Sequence, residues 1–445
     1  MLSELLAENG SDPLAPKAPH FRPRAKQVIF LFMAGGLSQV DTFDPKPRLI
    51  RDHGKKIAWK EAVPLGQQAL QDTPLQTLMA PAWEFRPRGR SGTEVSDLLP
   101  HLAGCVDDFC VIRSMKTDHL NHPEAVLGLH NGSFGAPRPS MGSWVSYGLG
   151  TFNRNLPSYM VLAPTLPWGG PLVISSEFLA GEHQGVMVRP GPEPIEDLLP
   201  RAPSKEIQEI QLGLLDSLNR GHLRERASDS ALAARIRSFE TAFGLQREAP
   251  EAFDLSKESD ETLNLYGLKR GETSGFGWQC LVARRLAERG VRFIELIDSK
   301  HGWDAHGKIK TQLAGVARNV DQPSAALLKD LKARGMLDET LVVFTSEFGR
   351  RPFEDGAAPA SAGRGHQASA FSTWLAGGGV RPGMVYGTTD DYSTQVAENP
   401  VHVHDLQATI LHLLGIDHER LTYRHGGRDF RLTDVGGRVV REILA

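Results

Sequence analysis

Cysteine is scarce in this sequence: Cys105, Cys110 and Cys280 are the only three among 445 residues. An odd, sparse set excludes a disulfide framework, and no spacing among them resembles a zinc ribbon. Cys110 lies in the apolar run 109–112 and reads as core. A metal site here therefore has to use histidine and carboxylates. An excess of one charge is also missing. Fifty Lys and Arg residues face 53 Asp and Glu, interleaved along the chain, for a net charge of −3. That leaves no basic footprint for nucleic acid and no acidic tail. No stretch approaches the ~20 apolar residues of a membrane span. The opening MLSELLAENGSDPLAPKAPHFRPRAK has no charged segment followed by an apolar one, so it does not read as a signal peptide. Residues 1–25 read instead as an extended, Pro-rich leader. The Gly-x-Ser-x-Gly elbow of serine α/β-hydrolases is absent. The run Gly377–Gly378–Gly379 lacks dinucleotide-binding spacing.

What the sequence does contain is a series of short apolar runs, at 28–33, 109–112, 159–162, 172–174, 291–297, 341–345 and 371–376. They do not alternate strictly, which is what a sheet covered on both faces produces. Helical spacing lies between them. Ile207, Ile210, Leu214 and Leu218 follow it, as do Leu232, Ile236, Phe239 and Phe243. Further helices are expected at 280–289, 321–333 and 405–414, the last with Asp405 as its N-cap and Gly415 as its terminator. The alternation predicts an α/β fold, a mostly parallel sheet with helices on both faces. Residues 26–445 read as one domain with a helix-rich excursion at about 180–290.

In open α/β sheets, ligands bind beyond the carboxyl ends of the strands. Asp41 follows the run 28–33. Asp298, His301, Asp304 and His306 follow 291–297, and Glu347 and Arg350 follow 341–345. Arg364 and His366 immediately precede 371–376. Carboxylates and imidazoles on separate strand ends suit Zn, Mn or Fe, or Mg and Ca where fewer imidazoles take part. Each residue alone has a plainer reading. Asp41 can cap its turn-rich segment, and Asp304 and His306 can belong to a surface loop. Glu347 can pair with Arg350, and His366 can be a solvated loop histidine. The joint pattern, with ligand-type residues in four strand-end loops, is what favours a site. Arg113 leaves the run 109–112 and suits either an anion or a structural ion pair. His119, His122, His402 and His404 are weaker candidates.

The segments LFMAGGLSQVDTFDPKP, NHPEAVLGLHNGS, RPSMGSWVSYGLG, GWDAH, TLVVFTSEFGRRP, GRGH and HDLQATILHLLGIDHERLTYRHGGRDFRLTD occur in that order. They closely resemble a bacterial sulfatase-like family, domain of unknown function 1501, which is similar to the alkaline-phosphatase superfamily. The resemblance runs from Ala25 to the C-terminus. It implies that Asp41 is the metal-binding acid after the first strand. Asp304 and His306 stand for the Asp/His pair of the middle motif, with His301 as the alternative. Residues 346–349 resemble Ser-Asp-His-Gly, so that Glu347 stands for a metal-binding Asp and Phe348 replaces the His. His366 looks like the late His ligand. Sulfatases place Cys or Ser ten residues before the Gly of a Leu-Thr-Gly motif. Counting back from Gly132 gives His122.

The resemblance thus implies a metal-dependent hydrolase of sulfate or phosphate esters, holding a divalent Zn, Mn, Mg or Ca ion. Its substrate would be an anionic small-molecule or saccharide ester. The metal set is Asp41, Asp304, His306, Glu347 and His366, expected around one pocket. His122 is expected as base or nucleophile, with Arg113 and Arg364 orienting the anion. The missing hydroxyl nucleophile implies the alternative, a catalytically inactive binding protein of the same fold. Relatives often carry a twin-arginine export signal, which implies a periplasmic location if one precedes this chain and a cytoplasmic one otherwise.

Overall fold

The computed structural model describes residues 14–59, 75–196, 198, 204–226, 230–355 and 361–445. Its main sheet contains β1 (Gln27–Phe32), β2 (Phe109–Lys116), β3 (Tyr159–Leu162), β4 (Val186–Val188), β5 (Phe293–Ile297), β6 (Thr340–Thr345), β7 (Phe371–Ala376), β8 (Met384–Tyr386) and β9 (Val401–His402). The strand order is β8-β2-β7-β6-β1-β5-β3-β4, with β9 also paired to β2. β7 is antiparallel to both its neighbours, and every other pairing is parallel.

The main helices are α1 (His122–Asn131), α2 (Met141–Leu149), α3 (Lys205–Glu225), α4 (Ser230–Phe253), α5 (Gly275–Glu288), α6 (Ile309–Ala333) and α7 (Val403–Leu413). Strand geometry sends alternate side chains to opposite faces. In β1, Ile29 and Leu31 join the core cluster that contains Leu281 and Leu286 of α5 and Leu313 and Leu327 of α6. Val28, Phe30 and Phe32 join the opposite cluster, with Leu129 of α1, Trp144 of α2 and Ile410 of α7. Both faces of β1 are therefore buried, which is why its sequence shows no polar alternation.

Some expectations require correction. Residues 172–174 are not a strand: a 3-10 turn occupies Gly170–Val173. Gly169 and Gly170 take positive φ there, and Pro171 has no N–H to give a ladder. The helix expected at 321–333 begins at Ile309 and runs through Pro323. Asp405 is not the N-cap of α7. His402 holds that place, and the Asp405 carboxylate accepts from the His402 N–H at 2.9 Å from the third helical position. Of the expected leader, residues 1–13 lie outside the described residues. The part from Leu14 onward lies against the body of the fold, with Phe21 N–H bonded to Gly415 O and Arg24 and Ala25 N–H to Leu413 O.

The reversed direction of β7 matters for function. Residues that precede it arrive at the same sheet edge as residues that follow the parallel strands. A two-residue ribbon, Gly349–Arg350 against His366–Gln367, joins the exit of β6 to the entry of β7 at that edge.

Candidate metal centre

The turn after β1 begins the site. Gly35 and Gly36 have φ of +117° and +84°, a region costly for any residue with a Cβ. A Cβ on Gly35 would stand 2.5 Å from the Asp304 backbone nitrogen. Glycine thus lets this turn lie directly against the loop after β5. The two N–H groups point at Glu347, at the exit of β6. Gly35 N–H lies 3.0 Å from Oε1 and 3.2 Å from Oε2, and Gly36 N–H lies 3.2 Å from Oε2. Ser346 Oγ donates to the same carboxylate at 3.0 Å. Glu347 is fully buried. Burial alone would raise its pKa, but the hydrogen bond and charge of His122 hold it below the ordinary glutamate value.

His122, the first residue of α1, donates from Nδ1 to Glu347 Oε1 at 2.6 Å. Nε2 then carries the remaining coordination capacity. It is buried, makes no hydrogen bond, and lies 3.4 Å from Asp304 Oδ1. Burial lowers the His122 pKa, yet the neighbouring Asp304 and Glu347 carboxylates outweigh it and raise the net value. His366 is oriented in the same way. Its Nδ1 donates to Leu120 O at 2.8 Å, an atom that can only accept. Its Nε2 faces Asp304 Oδ1 at 3.3 Å. Burial, reinforced by the Arg350 charge, pushes its pKa down to about 4, so the ring is neutral at pH 7. His306 is the opposite case. Its Nδ1 donates to Asp355 Oδ2 at 2.5 Å, and its Nε2 lies 3.0 Å from Asp304 Oδ1 and 2.9 Å from His366 Nε2. Hydrogen bonds to Asp304 and Asp355 raise its pKa to about 9. It carries the proton that its neighbour lacks.

Asp304 is the hub. Burial works against its charge, but the three imidazoles hold its carboxyl far below the ordinary range. The Arg350 guanidinium also donates to Asp304 Oδ1 and to Gly35 O, and its Nε donates to Gly36 O at 3.1 Å. The Glu347–Arg350 ion pair that the sequence left open does not form. Arg350 pairs with Asp304, and Glu347 with His122.

Four expected residues are placed elsewhere. Asp41 accepts from Arg364 Nε at 2.7 Å, from Ser38 Oγ at 2.5 Å and from Ala82 N–H at 2.8 Å. Its oxygens are committed to this fully buried pair and do not face the imidazoles. Arg364 spends its other N–H groups on Met79 O, Ala80 O and Arg351 O, so it is not available to an anion. Arg113 donates to Phe43 O at 2.8 Å, and the charges acting on it are Asp44 and Glu94. His301 is exposed and stacks obliquely on Trp168, with ring centroids 5.0 Å apart. Trp168 and Asp355 were missed. Trp168 lies in the loop after β3 and stacks on His122 at 3.8 Å with 22° between the rings. Its place at a strand exit was the available signal.

The sequence profile of the family described as "Protein of unknown function (DUF1501)" matches residues 25–444. The chain belongs to this family. No curated protein matches it. Among solved structures it is similar to Ps i-CgsB in complex with k-i-k-neocarrahexaose, at TM-score 0.40 and 13% identity, over 88% of this chain and 72% of that one. It is also similar to the PsFucS1 sulfatase from Pseudoalteromonas sp., at TM-score 0.37 and 14% identity, over 94% and 70%. A third is alkaline phosphatase from the Antarctic bacterium TAB5, at TM-score 0.34 and 12% identity, over 89% and 99%. Scores this low decide neither reaction nor substrate.

Whether this DUF1501 chain fits a metal is decided by its own atoms. His122 Nε2, Asp304 Oδ1 and His366 Nε2 all lie within 4.8 Å of one another. Ligands about 2.1 Å from a tetrahedral ion stand roughly 3.4 Å apart. The observed 3.4 and 3.3 Å from Asp304 to the two nitrogens match that spacing. Two nitrogens and one oxygen suit Zn or Mn better than Ca. Glu347 behind His122 and Leu120 O behind His366 are the outer partners that fix metal-binding imidazoles.

Proposed function

We propose that this protein is a metal-dependent hydrolase of sulfate or phosphate esters. The observation that carries the reading is the buried, unbonded Nε2 of His122, turned toward Asp304 and His366 by a carboxylate behind it. An imidazole held in one tautomer with a free nitrogen in a buried polar cluster is what a metal ligand requires. His122, Asp304 and His366 would hold the ion, and a divalent cation there would supply Lewis acidity to the ester oxygens and to water. Arg350 holds Asp304 and both glycine carbonyls in place from the buried side. In this reading His306, charged at neutral pH and exposed, would give the Nε2 proton to the departing oxygen, while Asp355 keeps the ring oriented. No serine, threonine or cysteine stands at position 122, so water is the attacking group in this reading.

One observation favours a second reading. Arg350 already neutralises Asp304 with a charge-assisted bond. A metal-free relative that binds an anion without cleaving it would need the same contact. The test is metal analysis of purified protein, followed by assays of p-nitrophenyl phosphate and p-nitrophenyl sulfate with Zn, Mn, Mg or Ca. Hydrolysis that needs stoichiometric metal and is lost in Asp304→Asn and His366→Ala is expected. Protein without bound metal and without turnover under all four ions overturns the hydrolase reading and leaves the binding one.

A further inference from the structure

Trp168, which stacks on His122, also lines a second space. Strands β5, β3 and β4 are neighbours in the parallel part of the sheet, and residues at their exits line an open cavity of about 480 Å3. That volume lies within the roughly 300–1,000 Å3 of small-molecule sites. The β3 loop supplies Thr165, Trp168 and Gly170, β4 supplies Met187, its exit supplies Arg189, and the β5 loop supplies Lys300. The lining contains two cations and no acidic residue. Arg189 and Lys300 are both exposed, and among the described residues neither has an ion-pair partner. Trp168 belongs to both sites: it lines this cavity and stacks on His122. A group seated here is one indole away from the proposed metal ligand.

We propose that this cavity receives the leaving group of the substrate, and that this leaving group is a sugar-sized body bearing a second negative charge of its own. The inference rests on the hydrolase reading for its link to the reaction, and on the cavity alone for its chemistry. Trp168 offers an aromatic wall of the kind that covers the apolar face of a ring. Arg189 can pair with a carboxylate or sulfate through two N–H groups, and Lys300 adds a point charge. Two cations and no carboxylate in the lining give the cavity a net positive charge that an anion would answer. A neutral ring would leave both cations unanswered.

The experiment titrates the full chain calorimetrically with glucuronic acid, with glucose 6-sulfate and with neutral methyl glucoside. The two anions separate carboxylate from sulfate recognition. The wild type should bind at least one anion in preference to the neutral sugar, with affinity falling as NaCl is raised. Both altered side chains are exposed, so the Arg189→Ala/Lys300→Ala variant should fold normally. In that variant the preference for the anion should fall by about tenfold, the scale of a lost charge-assisted contact. An unchanged preference means that the anion sits elsewhere, the metal centre included, and overturns the proposal even if p-nitrophenyl esters are cleaved. Loss of the preference in protein that cleaves no ester supports the cavity and removes only its link to hydrolysis. Equal binding of neutral and anionic sugars by the wild type overturns the proposal outright.

Discussion

Glu347→Gln is the perturbation that asks most of the site. The substitution keeps shape and removes charge. Four donors converge on the carboxylate: Gly35 N–H, Gly36 N–H, Ser346 Oγ and His122 Nδ1. An amide has one acceptor oxygen. If that oxygen stays with His122 and Gly35, the new NH2 faces the Gly36 N–H, and a buried donor loses its partner. Such a loss costs about 1–3 kcal/mol, and weakening the charge-assisted bond to His122 adds about 1 kcal/mol. A destabilisation of about 2–4 kcal/mol is expected, below the ~3–5 kcal/mol for removing one partner of a buried ion pair outright. The sign of the pH dependence follows from the lowered folded pKa. The contribution of Glu347 is present above the ordinary glutamate pKa of about 4.3 and is lost as pH falls through the folded value. Urea denaturation in chelator at pH 7 measures the stability term. Titration of the refolded variant with Zn or Mn measures the other, an affinity loss of about 10–100-fold as His122 loses its outer partner. A variant within about 0.5 kcal/mol of wild type and equal to it in metal affinity would refute the reasoning.

His130 Nδ1 bonds to Val126 O at 2.7 Å and Nε2 to Glu295 Oε1 at 2.7 Å, while Tyr159 OH donates to Glu295 Oε2 at 2.6 Å. Burial lowers the His130 pKa, but Glu295 outweighs it and the net value is raised. Its contribution is therefore full below the unfolded value of about 6.5 and is lost as pH rises through the folded one. Denaturation midpoints from pH 6 to 9 should show a decline that His130→Gln abolishes, and parallel curves would disprove it. Arg364→Ala should cost about 3–5 kcal/mol by stranding Asp41, whereas Asp41→Leu with Arg364→Met should cost less than the single change. Thermal melts of the three proteins decide that order. Gly35→Ala forces a Cβ toward the Asp304 backbone at a positive φ, a strain of about 1–3 kcal/mol, and should weaken metal binding as the loop after β5 shifts. Metal titration checks this, and an unaltered affinity argues against close packing of the two loops. In metal-replete protein, a chelator should lower the melting temperature and added cation should restore it. An unchanged curve counts against a metal.

The sheet was legible because its strands are buried on both faces. Runs such as 341–345 have no solvent side to add polar alternation, and little but β6 fits them. β4, β8 and β9 escaped notice because two- or three-residue strands carry almost no pattern. α6 starts well before the expected residue 321, and Leu313, Ala317 and Val320 continue its helical spacing ahead of Pro323. Within the site, Asp304, His306, Glu347 and His366 were recognisable because strand exits share one edge. Which of them touch was not. Asp41 and Arg364 are 323 positions apart, and nothing local foretells their pairing. Trp168 stood at a strand exit but carried no further signal, since a stacking partner has no ligand chemistry of its own.

The His122–Trp168 stack gives the protein an optical property. A protonated imidazole in face contact with an indole quenches its emission, whereas a neutral one quenches far less. Trp168 therefore acts as a native fluorophore for the charge on His122, with its ring 3.8 Å from the imidazole. The sequence has seven tryptophans, but Trp144, Trp278, Trp303 and Trp374 are almost wholly buried. Subtracting the Trp168→Phe spectrum isolates the signal of the one that faces the site. If the proposed ion takes Nε2, no proton can stay there, so at a pH where the imidazole is charged loading of the centre should be visible as brightening of unlabelled protein, without substrate.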